Sequence, residues 1–186
     1  MTNYEIGIDE VGRGSLAGPV VVGVVALPDN FQLKPPCKLA DSKKLTKDQR
    51  ELWYQYIVDQ LPFALARVYP TTIDRINISQ AANLAATRAL NRLNLSGRVL
   101  LDGGLKINNN QPYQSIIKGD EKYHSIALAS IIAKVHRDKI MTSHHRRYHQ
   151  YGFDRHKGYG TQFHLTALKK FGPCPIHRRS FLTKLT

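Results

Sequence analysis

The chain has little of what marks several protein classes. Its 186 residues include two cysteines, Cys37 and Cys174, far apart and in no C-x-x-C pair. That argues against a disulfide framework and against a thiolate zinc site. No apolar run approaches the roughly 20 residues of a membrane helix. The opening Met1-Thr2-Asn3-Tyr4-Glu5 lacks a basic stretch followed by an apolar one, so no signal peptide is expected and the cytoplasm is the expected compartment. Repeats and low-complexity tracts are missing. Acids are scarce as well, at 14 Asp and Glu against 27 Lys and Arg. An acid inside an apolar run therefore stands out.

What is present is positive charge, unevenly spread. From residue 136 onward there are 11 Lys and Arg against Asp138 and Asp154, so nine of the thirteen net charges lie in that last stretch. Tyr148, Tyr151, Phe153, Tyr159, Phe163 and Phe171 are interleaved with them. Cations among flat rings suit a polyanion with sugars and bases to stack on, so nucleic acid is the expected partner rather than a membrane surface.

The most informative acids stand in Ile6-Gly7-Ile8-Asp9-Glu10-Val11-Gly12-Arg13-Gly14. Two carboxylates at the end of a core strand lose solvation and repel each other, which divalent cations would relieve. Gly12, Gly14 and Gly18 loosely fit a dinucleotide loop. The following Pro19 and the valine-rich strand from Val20 do not provide the helix start that such a loop needs. Both acids reaching one ion requires a bend or bulge there, because neighbours on a regular strand point to opposite faces.

The rest reads as alternating strands and helices. Thr46 caps a helix over 47–60 with Leu52, Tyr56 and Ile57 inward. A strand covers 63–68, and Ser79 caps a helix over 80–94. Strands follow at 98–102 and 113–118. A long helix then runs to about Ser143 with Ile126, Ala129, Ile132, Ala133 and Ile140 as its stripe, and a further helix covers 161–171. This predicts one α/β domain over 1–186 with a mixed sheet, a short C-terminal helical region and a basic segment from about 143. Asp102 ends one core strand and Asp120 stands at a strand-to-helix junction, the edge where such sheets bind ligands. Four carboxylates without cysteine suit Mg²⁺ or Mn²⁺, and two ions about 4 Å apart could activate water and stabilise a leaving oxygen. Asp138 reads instead as a partner of a nearby Lys or Arg. Lys43, Lys44, Arg146 and Lys157 are candidate phosphate contacts. His145 and His149, spaced like metal ligands, sit among too many cations for zinc.

Several uncommon strings in one order resemble the ribonuclease HII family over nearly the whole chain. They are Asp9-Glu10-Val11-Gly12-Arg13-Gly14 with Leu16-Ala17-Gly18-Pro19-Val20-Val21, then Asp41-Ser42-Lys43-Lys44-Leu45, Leu101-Asp102-Gly103 and Lys118-Gly119-Asp120. The A-S-I-x-A-K-V-x-R-D run from Ala129 to Asp138 follows. Tyr151-Gly152-Phe153, His156-Lys157-Gly158-Tyr159-Gly160-Thr161 and His177-Arg178-Arg179-Ser180-Phe181 complete the set. The resemblance implies an RNase H-like fold with Asp9, Glu10, Asp102 and Asp120 as metal-binding catalytic carboxylates, and two ions in the substrate complex. It implies Gly12, Arg13 and Gly14 around a ribonucleotide and its 2′-hydroxyl, and Tyr159 stacked on the next deoxyribose. The implied substrates are RNA–DNA hybrids and duplex DNA carrying single ribonucleotides, cut to leave 3′-hydroxyl and 5′-phosphate ends. A monomer is expected. Longer relatives carry C-terminal helices, and no sliding-clamp motif is visible, so the basic segment 134–184 is expected to supply most of the binding. A DNA-cutting nuclease of the same fold, or an RNA-binding protein without cleavage, would share part of this pattern.

Overall fold

The computed structural model describes residues 3–40 and 42–183; Asp41 and Lys184 lie outside the described residues. The two apolar runs nearest the N-terminus form the middle of the sheet. β1 (Tyr4–Val11) pairs antiparallel with β2 (Val20–Pro28) without interruption, from Tyr4 opposite Pro28 to Val11 opposite Val21. β3 (Phe63–Val68) adds antiparallel to β2, while β4 (Arg98–Asp102) and β5 (Tyr113–Ile116) follow β1 in parallel. The order is β3-β2-β1-β4-β5, a mixed sheet with helices on both faces, as the sequence predicts.

Alternation along β2 divides the core. Val20, Val22, Val24 and Ala26 join a cluster with the alanines of α3 (Ile78–Leu93). Val25 joins the other, with Trp53 and Ile57 of α1 (Lys47–Gln60) and with Leu128, Ala129 and Ile132 of α4 (His124–Arg147). A strand covered on both sides reads as one continuous apolar run, which is why β2 shows no polar alternation. α4 lies almost on the strand backbone. A Cβ at Gly7 would stand 2.1 Å from the carbonyl carbon of Ser125, and one at Gly23 would stand 2.5 Å from the Ala129 oxygen. Glycine at those two places lets the helix come this close.

α1 has the predicted bounds, held by a reciprocal cap between Thr46 and Gln49. Its inner face is Trp53 and Ile57; Leu52 points outward. α3 starts earlier than expected. Asn77 rather than Ser79 caps it by accepting the Gln80 N–H at 3.0 Å. The same Asn77, at φ +64°, closes α2 (Pro70–Ile76), a helix the sequence pattern did not predict. α4 passes Ser143 to Arg147, and its buried stripe runs through Arg137 and Met141 instead of Ile140. Beyond it, α5 (Phe153–His156), α6 (Gln162–Phe171) and α7 (Arg179–Leu182) form the C-terminal helical region. Asp74 of α2 accepts the N–H groups of Arg179 and Ser180 and so fixes α7. Among the described residues, no helix is long and apolar enough to cross a membrane.

Candidate active site

The acids gather where β1 runs on past its pairing with β4. That parallel pairing ends at Ile8 opposite Leu101, which leaves Asp9 and Asp102 as the next residues of neighbouring strands. No bulge bends β1, contrary to the sequence expectation, because Asp9 and Glu10 keep their regular pairing with Gly23 and Val22. Asp9 therefore shares the α4 face with Gly7, and Glu10 shares the α3 face with Ile8. The two carboxylates bracket the strand end.

Asp9 is buried. Loss of solvent, then the charges of Glu10 and Asp102, hold its carboxyl well above the ordinary aspartate range. A hydrogen bond from Ser130 and the Glu10 N–H at 2.7 Å oppose the rise. Ser130 in turn shares a buried 2.9 Å hydrogen bond with Ser42. Glu10 is also raised, chiefly by burial, against the opposing charge of Arg13. Arg13 Nη1 stands 3.4 Å from Glu10 Oε1, while Glu10 Oε2 is buried and has no hydrogen-bond partner among the described residues. Asp102 accepts the Gly119 N–H at 2.7 Å, which ties β4 to the 3-10 turn Gly119–Glu121 carrying Asp120. Asp120 is half-buried and lines an open groove of about 350 Å³ with Lys44, Glu121 and His124. Among the described residues, no three potential ligands form a ready-made metal cage. Asp9, Glu10 and Asp102 meet at one edge of the sheet, and Asp120 follows the Gly119 that bonds Asp102. An orphaned buried oxygen beside a desolvated carboxyl is nevertheless what an oxygen-seeking cation satisfies, so these residues fit Mg²⁺ or Mn²⁺.

Beside this edge the loop 12–19 is held by its carbonyls. Arg178 donates from Nη2 to Gly12 O at 2.7 Å, from Nη1 to Arg13 O at 2.8 Å and from Nε to Gly18 O at 3.0 Å. Arg137 donates from Nε to Pro19 O at 2.9 Å and from Nη2 to Ser15 Oγ at 2.7 Å and Ala17 O at 3.1 Å. Both arginines are fully buried. Gly12 has φ +93°, and a Cβ there would stand 2.2 Å from Arg137 Nε. Gly14 faces open space. The Tyr159 ring, about one-third exposed, lies 5.5 Å from the Arg137 guanidinium carbon.

Comparison with known proteins settles the kinship. The sequence pattern of the family described as Ribonuclease HII matches residues 6–184. The chain belongs to the ribonuclease HII family. The Ribonuclease HII of Syntrophobacter fumaroxidans is 49% identical over 177 residues, covering 94% of this chain and 75% of the relative. That of Pelodictyon phaeoclathratiforme is 46% identical over 180 residues, covering 94% and 87%. The crystal structure of the ribonuclease H2 from Pyrococcus horikoshii superposes with a TM-score of 0.82 at 26% identity, covering 98% and 96% of the two chains. The protein is thus a nuclease of the ribonuclease H type, a phosphodiester hydrolase, and its mixed sheet is the RNase H-like fold.

Within this ribonuclease HII fold the expected phosphate contacts scatter. Lys44 pairs with Glu121 at 3.3 Å beside Asp120, and Lys43 is exposed. Lys157 folds back onto the Asp154 carbonyl and is half-buried. Arg146 is exposed on α4, about 24 Å along the helix from Ser130, too far to join the acids. Asp138 pairs with Lys134 at 2.9 Å, in line with its expected role as partner of a nearby Lys or Arg. His145 stands 3.1 Å from Asp154 without hydrogen-bond geometry. The sequence reading assigned no role to Arg137, Arg178, Ser130 and the pair His164 and His177. Arg137 was detectable, because residues 129, 133, 137 and 141 form one buried helical stripe and an arginine on it must be answered by polar groups.

Proposed function

We propose that this ribonuclease HII acts as one catalytic domain that hydrolyses the RNA strand of RNA–DNA hybrids and also cuts 5′ to a single ribonucleotide in duplex DNA. Its ends are a 3′-hydroxyl and a 5′-phosphate. Asp9, Glu10, Asp102 and Asp120 would hold Mg²⁺ or Mn²⁺, two ions in the substrate complex, and these would supply the positive charge that eases nucleophilic attack and departure at phosphorus. The observation that supports this most is the meeting of Asp9, Glu10 and Asp102 at one sheet edge, where burial first and neighbouring carboxylate charge next raise the pKa of Asp9 and Glu10, beside a loop whose backbone is fixed.

The chain's own groups divide the work. Ser130, backed by Ser42, orients the Asp9 carboxyl. The Gly119 N–H holds the Asp102 carboxyl in place. Arg13 keeps Glu10 partly compensated until substrate arrives. At Gly14 the backbone is open, so a ribose can approach main-chain groups closely and its 2′-hydroxyl can be felt. Tyr159 offers a flat face to the following deoxyribose. The basic surface of α4 and the C-terminal region receives the phosphates further along the duplex.

The test is incubation with end-labelled duplex DNA containing one ribonucleotide, with Mg²⁺, with Mn²⁺ and with EDTA, beside an all-DNA duplex. A single cut 5′ to the ribonucleotide, dependent on metal and absent from all-DNA, is expected. Cutting of all-DNA would point to a DNA nuclease of the same fold. Salt-sensitive binding without cleavage would leave only a nucleic-acid-binding protein.

A further inference from the structure

We infer that Arg137 is a specificity-positioning residue: one buried guanidinium locks the loop 12–19 and the Tyr159 ring into a single rigid gauge for the RNA–DNA junction. The inference rests on the junction reading above and extends it. Two sensors that read adjacent sugars discriminate only if their separation is fixed, since slack in either lets a wrong sugar fit.

The geometry of Arg137 supplies that coupling. Nε and Nη2 are spent on Pro19 O, Ser15 Oγ and Ala17 O, which fixes the loop. Nη1 is buried and has no hydrogen-bond partner among the described residues. Among the described residues, the ring the guanidinium faces is that of Tyr159, with Cζ 5.5 Å from the ring centroid. A desolvated cation with an unanswered N–H gains most from an aromatic face. Arg178 holds the same loop through Gly12, Arg13 and Gly18, but its ring contact is Phe181 at 5.2 Å, not Tyr159. Both arginines thus clamp the loop and both charges reach Tyr159, but among the described residues only Arg137 lays its guanidinium against the Tyr159 ring. Tyr159 is fixed from behind by its own backbone. Its carbonyl accepts His164 Nδ1–H at 2.9 Å, so His164 Nε2 accepts, and His177 donates to it at 3.0 Å. The backbone of Tyr159 is thus set by the histidines and its ring by Arg137.

The experiment measures kcat and KM on two substrates, a duplex with one ribonucleotide and a continuous RNA–DNA hybrid. Wild type is compared with Arg137→Lys, Arg178→Lys, Tyr159→Leu and Arg137→Lys/Tyr159→Leu. Lysine keeps the charge and loses the fork, so the ratio of junction to hybrid kcat/KM should fall about 3- to 30-fold, the scale of a buried cation–π contact. The double variant should fall no further than Tyr159→Leu alone, because coupled residues are not additive. Arg178→Lys should lower both substrates together and leave the ratio standing. An unchanged ratio in Arg137→Lys, or additive losses in the double variant, overturns the inference. Absence of any junction preference in wild type instead overturns the reading it rests on. Should Arg137→Lys fail to fold, thermal melting of Tyr159→Phe and Tyr159→Leu decides. Phenylalanine keeps the ring, so leucine should melt about 2–5 °C lower; equal melting of the two overturns the inference.

Discussion

At the scale of single residues, Asp9 is held in a state that suits a bound cation and not an empty protein. Its charged form is disfavoured by burial first and by Glu10 and Asp102 next. Asp9→Asn should therefore raise the unfolding midpoint in EDTA while abolishing cleavage. About 1 kcal/mol of relieved strain moves a chain of this size by roughly 2–4 °C, which calorimetry resolves. Asp102→Asn keeps the acceptor for Gly119 and loses the charge, so kcat should drop by about 100-fold or more, the scale of removing one preorganised charge-stabilising group. Unchanged turnover in Asp102→Asn would take that residue out of the site. The acids were legible because an acid pair inside an apolar run breaks the pattern. The missing bulge was not. Sequence gives no sign that the pairing of β1 with β4 ends one residue short of Asp9, and that ending lets acids on opposite faces of β1 both reach the sheet edge.

At the scale of elements, the placement of α4 against β1 and β2 decides whether Ser130 and Arg137 reach their partners. Gly7 lies under the start of that helix, with backbone atoms of Ser125 and Ile126 within 2.1–2.4 Å of where a Cβ would stand. Gly7→Ala should cost about 1–3 kcal/mol by overpacking against backbone that has no rotamer to change. Gly14→Ala meets open space and should melt like wild type. Urea unfolding of the pair measures the contrast, and equal loss in both would mean that α4 is not seated on Gly7 as described. The bounds of α1 and β3 were readable from capping and pattern, whereas α4 runs four residues past the expected Ser143 and β5 stops two short of 118. α2 was not readable, since a seven-residue helix opening on Pro70 carries too little pattern, and it moved the α3 cap from Ser79 to Asn77. On the inward face of α1, Ile57 and the core reading of Trp53 hold, but Leu52 is exposed because the larger Trp53 beside it takes the buried position.

At the scale of the whole molecule, acid should loosen the C-terminal region. His164 and His177 are both depressed to about 4, mainly by burial, from an ordinary 6.5. Their folded forms bind fewer protons than the unfolded chain between those values, so stability is present above about 6.5 and is lost as pH falls toward 4. The pair shares one hydrogen bond and titrates as a unit. Thermal melts from pH 7 to pH 4.5 should show a decline that a His164→Asn/His177→Asn variant shows less steeply. A variant declining as steeply as wild type would mean that these histidines are not the buried neutral pair. The charge asymmetry was plain in the sequence and should make any nucleic-acid affinity salt-sensitive. How the two buried arginines join distant segments was not, because Arg178 and Gly12 lie 166 positions apart.

The most direct test of the central claim is Mn²⁺ binding followed by paramagnetic resonance at neutral pH, in wild type and in Asp9→Asn/Asp102→Asn. Saturable binding in wild type that is lost in the variant is expected, with the EDTA-treated wild type regaining it on adding Mn²⁺. Equal binding in both proteins would contradict a cation site built from these acids.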